Sequence, residues 1–89
     1  MSKAKILIID DEENLRKLLA RIIGLEGFTV LEAGNAKSGF KILESESIQV
    51  VITDVKLPDA NGVELTAKLK SQHPAIEVIV LPAYGTIED

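Results

Sequence analysis

The chain has 89 residues, 46% of them hydrophobic, with 10 basic against 14 acidic side chains, a formal net charge of −4 and no cysteine. That length holds one domain, and the apolar fraction argues for a packed core rather than disorder. The lack of a basic tract argues against direct nucleic-acid binding, and the lack of cysteine excludes disulfides and thiolate metal sites.

Met1-Ser-Lys-Ala-Lys5 leads into an apolar run too short for a signal peptide or membrane span, which fits a cytoplasmic protein. Lys5 to Ile9 is unalternating and rich in β-branched residues, so it predicts a strand buried on both faces. Asp10 or Asp11 can cap the helix that follows, with Glu12 and Glu13 favourable in its first turn. Leu15, Leu18, Leu19, Ile22 and Ile23 recur at helical spacing and read as a stripe facing the core, and Gly24 and Gly27 end the helix. Thr29 to Glu32 is a second strand. Asn35 caps a second helix whose inward face is Ala36, Phe40 and Leu43. Ile48 to Thr53 is a third strand, again buried on both faces. Asp54 to Gly62 is a loop with Pro58 and the turn-formers Asn61 and Gly62. A third helix runs to about Gln72, with Leu65 and Leu69 inward and Pro74 enforcing its end. Glu77 to Leu81 is a fourth strand. Thr86-Ile-Glu-Asp89 has the form of a helix start with no helix after it, which reads as a chain cut inside a domain.

Strands and helices alternate with short connections, the pattern of a parallel sheet wrapped by helices. Right-handed crossovers place the first and third strands side by side, and in a flavodoxin-like order their carboxyl ends form the switch point where ligands bind. Asp10 and Asp11 end the first of these strands and Asp54 the third, so three carboxylates converge. Oxygen-only ligands of this kind suit a hard ion such as Mg²⁺, and an ion with open positions accepts a phosphoryl group. Taken singly, Asp10 and Asp11 could be caps and Asp54 a turn residue; the constellation favours a site. Glu12 and Glu13 read as partners of the helix dipole rather than ligands. His73, the one histidine, stands at a helix end before Pro74 and reads as an ordinary surface residue. Thr53 and Thr66 have no base neighbour that would make them nucleophiles. No glycine-rich phosphate loop follows the first strand, which argues against a nucleotide site.

Ile8-Ile9-Asp10-Asp11-Glu12, Asp54-Val-Lys-Leu-Pro58 with Gly62, and Leu81-x-Ala83-Tyr84-Gly85 together resemble a two-component response-regulator receiver domain along the whole chain. Thr53 to Gly62 and Ala83 to Asp89 look most like receivers of nitrogen-regulator-type transcription activators. The resemblance implies a CheY-like doubly wound α/β fold with strand order 2-1-3-4. It also implies an incomplete one, a single receiver domain over 1–89 that ends before the fifth strand and last helices. In role, it implies Asp54 as the acceptor of a phosphoryl group from the phosphohistidine of a sensor histidine kinase, and Asp10, Asp11, Asp54 and the backbone carbonyl of Lys56 as the Mg²⁺ site. Catalysis would extend at most to self-phosphorylation and autodephosphorylation.

Two departures stand out. Where the family carries a serine or threonine after its fourth strand, this chain has Pro82, with neither hydroxyl nor N–H. The family's lysine-bearing fifth strand is missing, and Lys68 and Lys70 of the third helix cannot replace that lysine. These departures imply an impaired switch. The bare fourth strand, Val78 to Leu81, predicts self-association as a dimer or larger oligomer; Tyr84 beyond it reads equally as part of a signalling surface or as an exposed loop residue. Competing readings are a non-catalytic self-associating fragment and a Mg²⁺-dependent phosphohydrolase. The second fits poorly, since such enzymes usually place a nucleophilic and an acid–base aspartate two apart on one strand end.

Overall fold

A computed structural model describes residues 4–82. Among the described residues four parallel strands form one sheet: β1 (Lys5–Ile9), β2 (Thr29–Ala33), β3 (Val50–Asp54) and, at one edge, Glu77–Leu81. Three helices connect them: α1 (Glu13–Leu25), α2 (Ala36–Ser45) and α3 (Gly62–Gln72). The segment between Asp54 and α3 is not a plain loop. It holds a small antiparallel hairpin, β4 (Lys56–Leu57) and β5 (Ala60–Asn61), so the edge strand Glu77–Leu81 is β6. The sheet order is β2-β1-β3-β6, the expected 2-1-3-4 order of the main strands.

Register explains the packing. Leu7 pairs with Val51 and Ile9 with Thr53, so these side chains share one face. There Leu7, Ile9 and Val51 join Ala36 and Leu43 of α2 and Leu65 and Leu69 of α3 in the main core. Gly39 of α2 exists because of this packing: a Cβ there would stand 2.6 Å from Cδ1 of Ile9. The opposite face belongs to α1, which covers β2 and β1. Ile6 and Ile8 are buried beneath it, but coverage fades across the sheet. Ile52 is half-buried, and its partner Ile79 on β6 is 50% exposed.

Several details differ from the reading of the sequence. No residue of α1 is fully buried, and Leu15, Leu18 and Ile22 are exposed at 41%, 53% and 52%. The stripe is wider than the face that β1 and β2 offer, so only its Leu19 and Ile23 side is partly covered. The cap of α1 is Glu12, whose side chain accepts from Asn14 N; Asp10 instead accepts the Glu12 amide. Gly24 lies inside α1, and Gly27, at φ 98°, makes the exit. The second strand runs one residue further, to Ala33, and the third begins at Val50 and is buried on alternate residues. α2 and α3 fill one side of it, while α1 falls short on the other. Asn35 and Asn61 cap α2 and α3 as their side chains allow, through Ser38 N and Glu64 N. Phe40 packs against the core as expected but is only half-buried, with Lys68 Nζ 4.8 Å over its ring. Among the described residues no helix is long and apolar enough to cross a membrane. The helix start expected at Thr86 and the position of Tyr84 lie outside the described residues.

Candidate metal centre

Parallel pairing of β1 with β3 brings two carboxyl ends to one edge of the sheet. Asp10 and Asp11 leave β1 there, and Asp54 is the last residue of β3. Each of the three offers a carboxylate oxygen, and these oxygens all lie within 4.8 Å of one another. At such spacing each like-charged pair repels by roughly 1–4 kcal/mol, depending on the local dielectric.

The three side chains sit at graded depths. Asp10 is buried, with 1% exposure. Its Oδ1 accepts the Glu12 amide at 2.9 Å, while its Oδ2 is buried with no hydrogen-bond partner. Burial, and then the nearby Asp54 and Asp11 charges, hold its carboxyl above the ordinary 3.8 despite the Glu12 hydrogen bond. Asp11 is exposed and Asp54 half-buried, with Asp54 Oδ1 accepting the Val55 amide at 2.7 Å. A buried carboxylate with an oxygen that lacks a donor, clustered with two further carboxylates, fits a cation better than a neutral ligand. All-oxygen donors select a hard divalent ion over a soft one. The residues therefore fit Mg²⁺.

The surroundings are stiff. Gly62 N donates to Val55 O at 2.7 Å, and a Cβ on Gly62 would fall 2.8 Å from Asp54 O and 2.9 Å from Val55 Cα. Only glycine lets α3 start this close to the backbone of Asp54. Thr53 is fully buried and its hydroxyl donates to Asp54 O at 3.1 Å, which leaves it a structural part. Thr66 is likewise spent, donating to Gly62 O. Lys56 lies in β4, two residues beyond Asp54. Pro82 is exposed and directly follows Leu81, the partner of Asp54 across β3 and β6.

Other candidates stand elsewhere. His73 is the C-cap of α3, at the amino end of β6 and thus across the sheet from the carboxylates. Lys70 Nζ donates to Ile76 O at 2.9 Å at that same far end. Two polar residues escaped the sequence reading. Arg16 reaches from α1 to donate to Asp10 O at 2.8 Å and to Glu32 Oε1 at 3.0 Å, bracing the end of β1. Asp59, at the tip of the β4–β5 hairpin, accepts the amides of Ala36 and Lys37 at 2.8 and 3.0 Å. No local pattern announces either contact, because the partners are remote in sequence.

Comparison with known proteins agrees with this geometry. The model of the response regulator receiver domain family matches residues 6–89. The transcriptional regulatory protein GlrR of Escherichia coli is 34% identical over 86 residues, 97% of this chain and 19% of the relative. The response regulator PilR of Pseudomonas aeruginosa is 34% identical over 88 residues, 99% of this chain and 20% of the relative. Sporulation initiation phosphotransferase F of Bacillus subtilis is 33% identical over 99% of this chain and 71% of its own length. A receiver domain from Clostridium thermocellum superposes with a TM-score of 0.85 at 35% identity, covering 93% of this chain and 68% of that one. The response regulator TrrA of Thermotoga maritima, solved in complex with Mg²⁺ and BeF, superposes at 0.86 with 30% identity over 92% and 71% of the two chains. The chain belongs to the response regulator receiver domain family, with transcription regulators of the nitrogen-regulator type among its relatives. It spans about a fifth of the length of GlrR and PilR. Receiver domains of two-component systems take a phosphoryl group from sensor histidine kinases and bind Mg²⁺ at an acidic pocket.

Proposed function

We propose that this chain is the phosphoacceptor module of a two-component relay, with Asp54 as the residue phosphorylated and Asp10, Asp11, Asp54 and the Lys56 carbonyl as the Mg²⁺ ligands. The observation that carries the reading is the convergence of three carboxylates, one oxygen of each within 4.8 Å of the others, with the Oδ2 of Asp10 buried and unpartnered. Held by these residues, Mg²⁺ would supply the positive charge that offsets the carboxylates and the incoming phosphoryl group.

In the transfer step an oxygen of Asp54 attacks the phosphorus of a kinase phosphohistidine. The O–P bond of an acyl phosphate forms, the N–P bond breaks, and its electron pair returns to the imidazole. The chain's own contribution is placement. The Val55 amide holds the Asp54 carboxylate, Thr53 holds its carbonyl, and Gly62 fixes the backbone behind it. The relay reading sets the chain in the cytoplasm and makes it at most an enzyme toward itself. Pro82, the residue after the partner of Asp54, offers no hydroxyl to a phosphoryl oxygen. Conformational response to phosphorylation is therefore weaker here than in receivers with a hydroxyl at that place.

The test is intact mass after incubation with Mg²⁺ and a small-molecule phosphodonor. One phosphoryl adduct, absent in Asp54→Asn and without Mg²⁺, supports the reading. A folded parent chain that takes no adduct overturns it.

A second reading concerns assembly. β6 is the sheet edge among the described residues, and Ile79 and Val80 on it are 50% and 39% exposed. An apolar edge with free backbone groups pairs readily with another copy, so self-association through β6 belongs to the proposal.

A further inference from the structure

We infer that Asp59 is a positioning residue for the metal centre: by clasping the tip of the β4–β5 hairpin to the start of α2, it sets where the Lys56 carbonyl stands. This rests on the proposed role of that carbonyl.

The hairpin has only two residue pairs, Lys56 with Asn61 and Leu57 with Ala60. A ribbon that small has no stability of its own. Its base is tied by the Gly62 amide on Val55 O. Its tip is tied by Asp59, whose two carboxylate oxygens accept separately from Ala36 N and Lys37 N. Those two amides open α2, so the carboxylate also meets the positive end of the helix dipole. The same two hydrogen bonds hold the Asp59 carboxyl below its ordinary value.

Capping of α2 alone does not account for the contact. Asn35 already caps that helix through Ser38 N, three residues away. Asp59 reaches it from 23 residues further along the chain. The contact also closes a circuit. The Asp10 amide donates to Ala33 O at 3.0 Å, Ala33 leads through Asn35 to Ala36, Ala36 binds Asp59, and the hairpin returns to Val55 and Asp54. The strand ends that carry the carboxylates are thus joined a second time, outside the sheet. Lys56 lies inside this circuit, and opening it at Asp59 leaves the hairpin held by the Gly62 amide at its base and by the packing of Leu57 and Ala60 on the core, with no hydrogen bond fixing its tip.

The experiment is a Mg²⁺ titration followed by backbone amide shifts, run well below the unfolding temperature on the parent chain, Asp59→Ala and Asp59→Asn. Asp59→Ala should weaken Mg²⁺ about 10-fold, in the range seen when an outer partner of a metal ligand is removed. Asp59→Asn, which keeps one acceptor, should recover part of the loss. Ala36→Pro is the second route. Proline is tolerated at the first helical position, and Asn35 before it is already extended at φ −157° and ψ 173°. It deletes one donor to Asp59 while leaving the carboxylate in place, and should weaken Mg²⁺ in the same direction. A folded Asp59→Ala chain with lower thermal stability and unchanged Mg²⁺ affinity would show a merely structural clasp and overturn the inference. A parent chain that binds no Mg²⁺ would instead overturn the metal reading beneath it.

Discussion

At the scale of single residues, Asp10 sits under two constraints that pull apart. The fold buries it, and the site surrounds it with charge of its own sign. Its carboxyl is therefore held above 3.8 in the folded chain, so the folded form binds the proton more tightly than the unfolded form does. The resulting stabilisation is complete below the unfolded value and is lost as pH rises through the raised folded value. Without Mg²⁺, the melting temperature should carry a component that falls across that window, above pH 3.8, and Asp10→Asn should remove it. At neutral pH without metal the variant should be more stable than the parent by roughly 1–3 kcal/mol, the usual cost of an unsatisfied buried polar group. Thermal melts across pH, with and without Mg²⁺, check both statements; stabilisation by Mg²⁺ should shrink in the variant. The three aspartates were legible in the sequence because each ends an apolar run, and strand ends are where such a sheet gathers ligands. Asp59 and Arg16 were not, because their contacts depend on how separate elements meet.

At the scale of elements, α1 shows what periodicity can and cannot tell. The spacing of its leucines and isoleucines located the helix, and β6 was bounded to the residue. Burial is another matter, since a stripe is covered only as far as its neighbours extend. Leu18 and Ile22 stand beyond the reach of β1 and β2, while Leu69 of α3 is wholly enclosed. Leu18→Glu and Ile22→Glu should therefore change stability by no more than about 0.5 kcal/mol, as at ordinary surface positions. Leu69→Ala should cost about 2–5 kcal/mol. Urea unfolding of the three variants measures the contrast. The β4–β5 hairpin went unread for a different reason: Lys56-Leu57 and Ala60-Asn61 are too short for any alternation to register, and Pro58 and Asp59 look only like a turn.

For the whole molecule, the two faces of the sheet are unequally dressed. Among the described residues α2 and α3 close one face and α1 shelters only half of the other, so exposure rises from Ile8 through Ile52 to Ile79. The apolar edge at β6 adjoins the barest part. Sedimentation at increasing concentration should show association in the parent chain, and Ile79→Lys, which puts a charge on that edge, should shift it toward monomer. A parent chain that stays monomeric throughout would remove the edge-pairing proposal.

The central place of β1 bears on the order of assembly. It pairs with β2 on one side and β3 on the other, in register from Lys5 with Thr29 and from Ile6 with Val50. In a chain made from its amino end, β1 emerges before both neighbours and must wait for each. Closing those separations sets the pace of folding more than any local step does. Until β3 is available, β1 has a partner on one side alone, so the strand ends that carry Asp10 and Asp54 cannot be brought together before more than half of the chain exists.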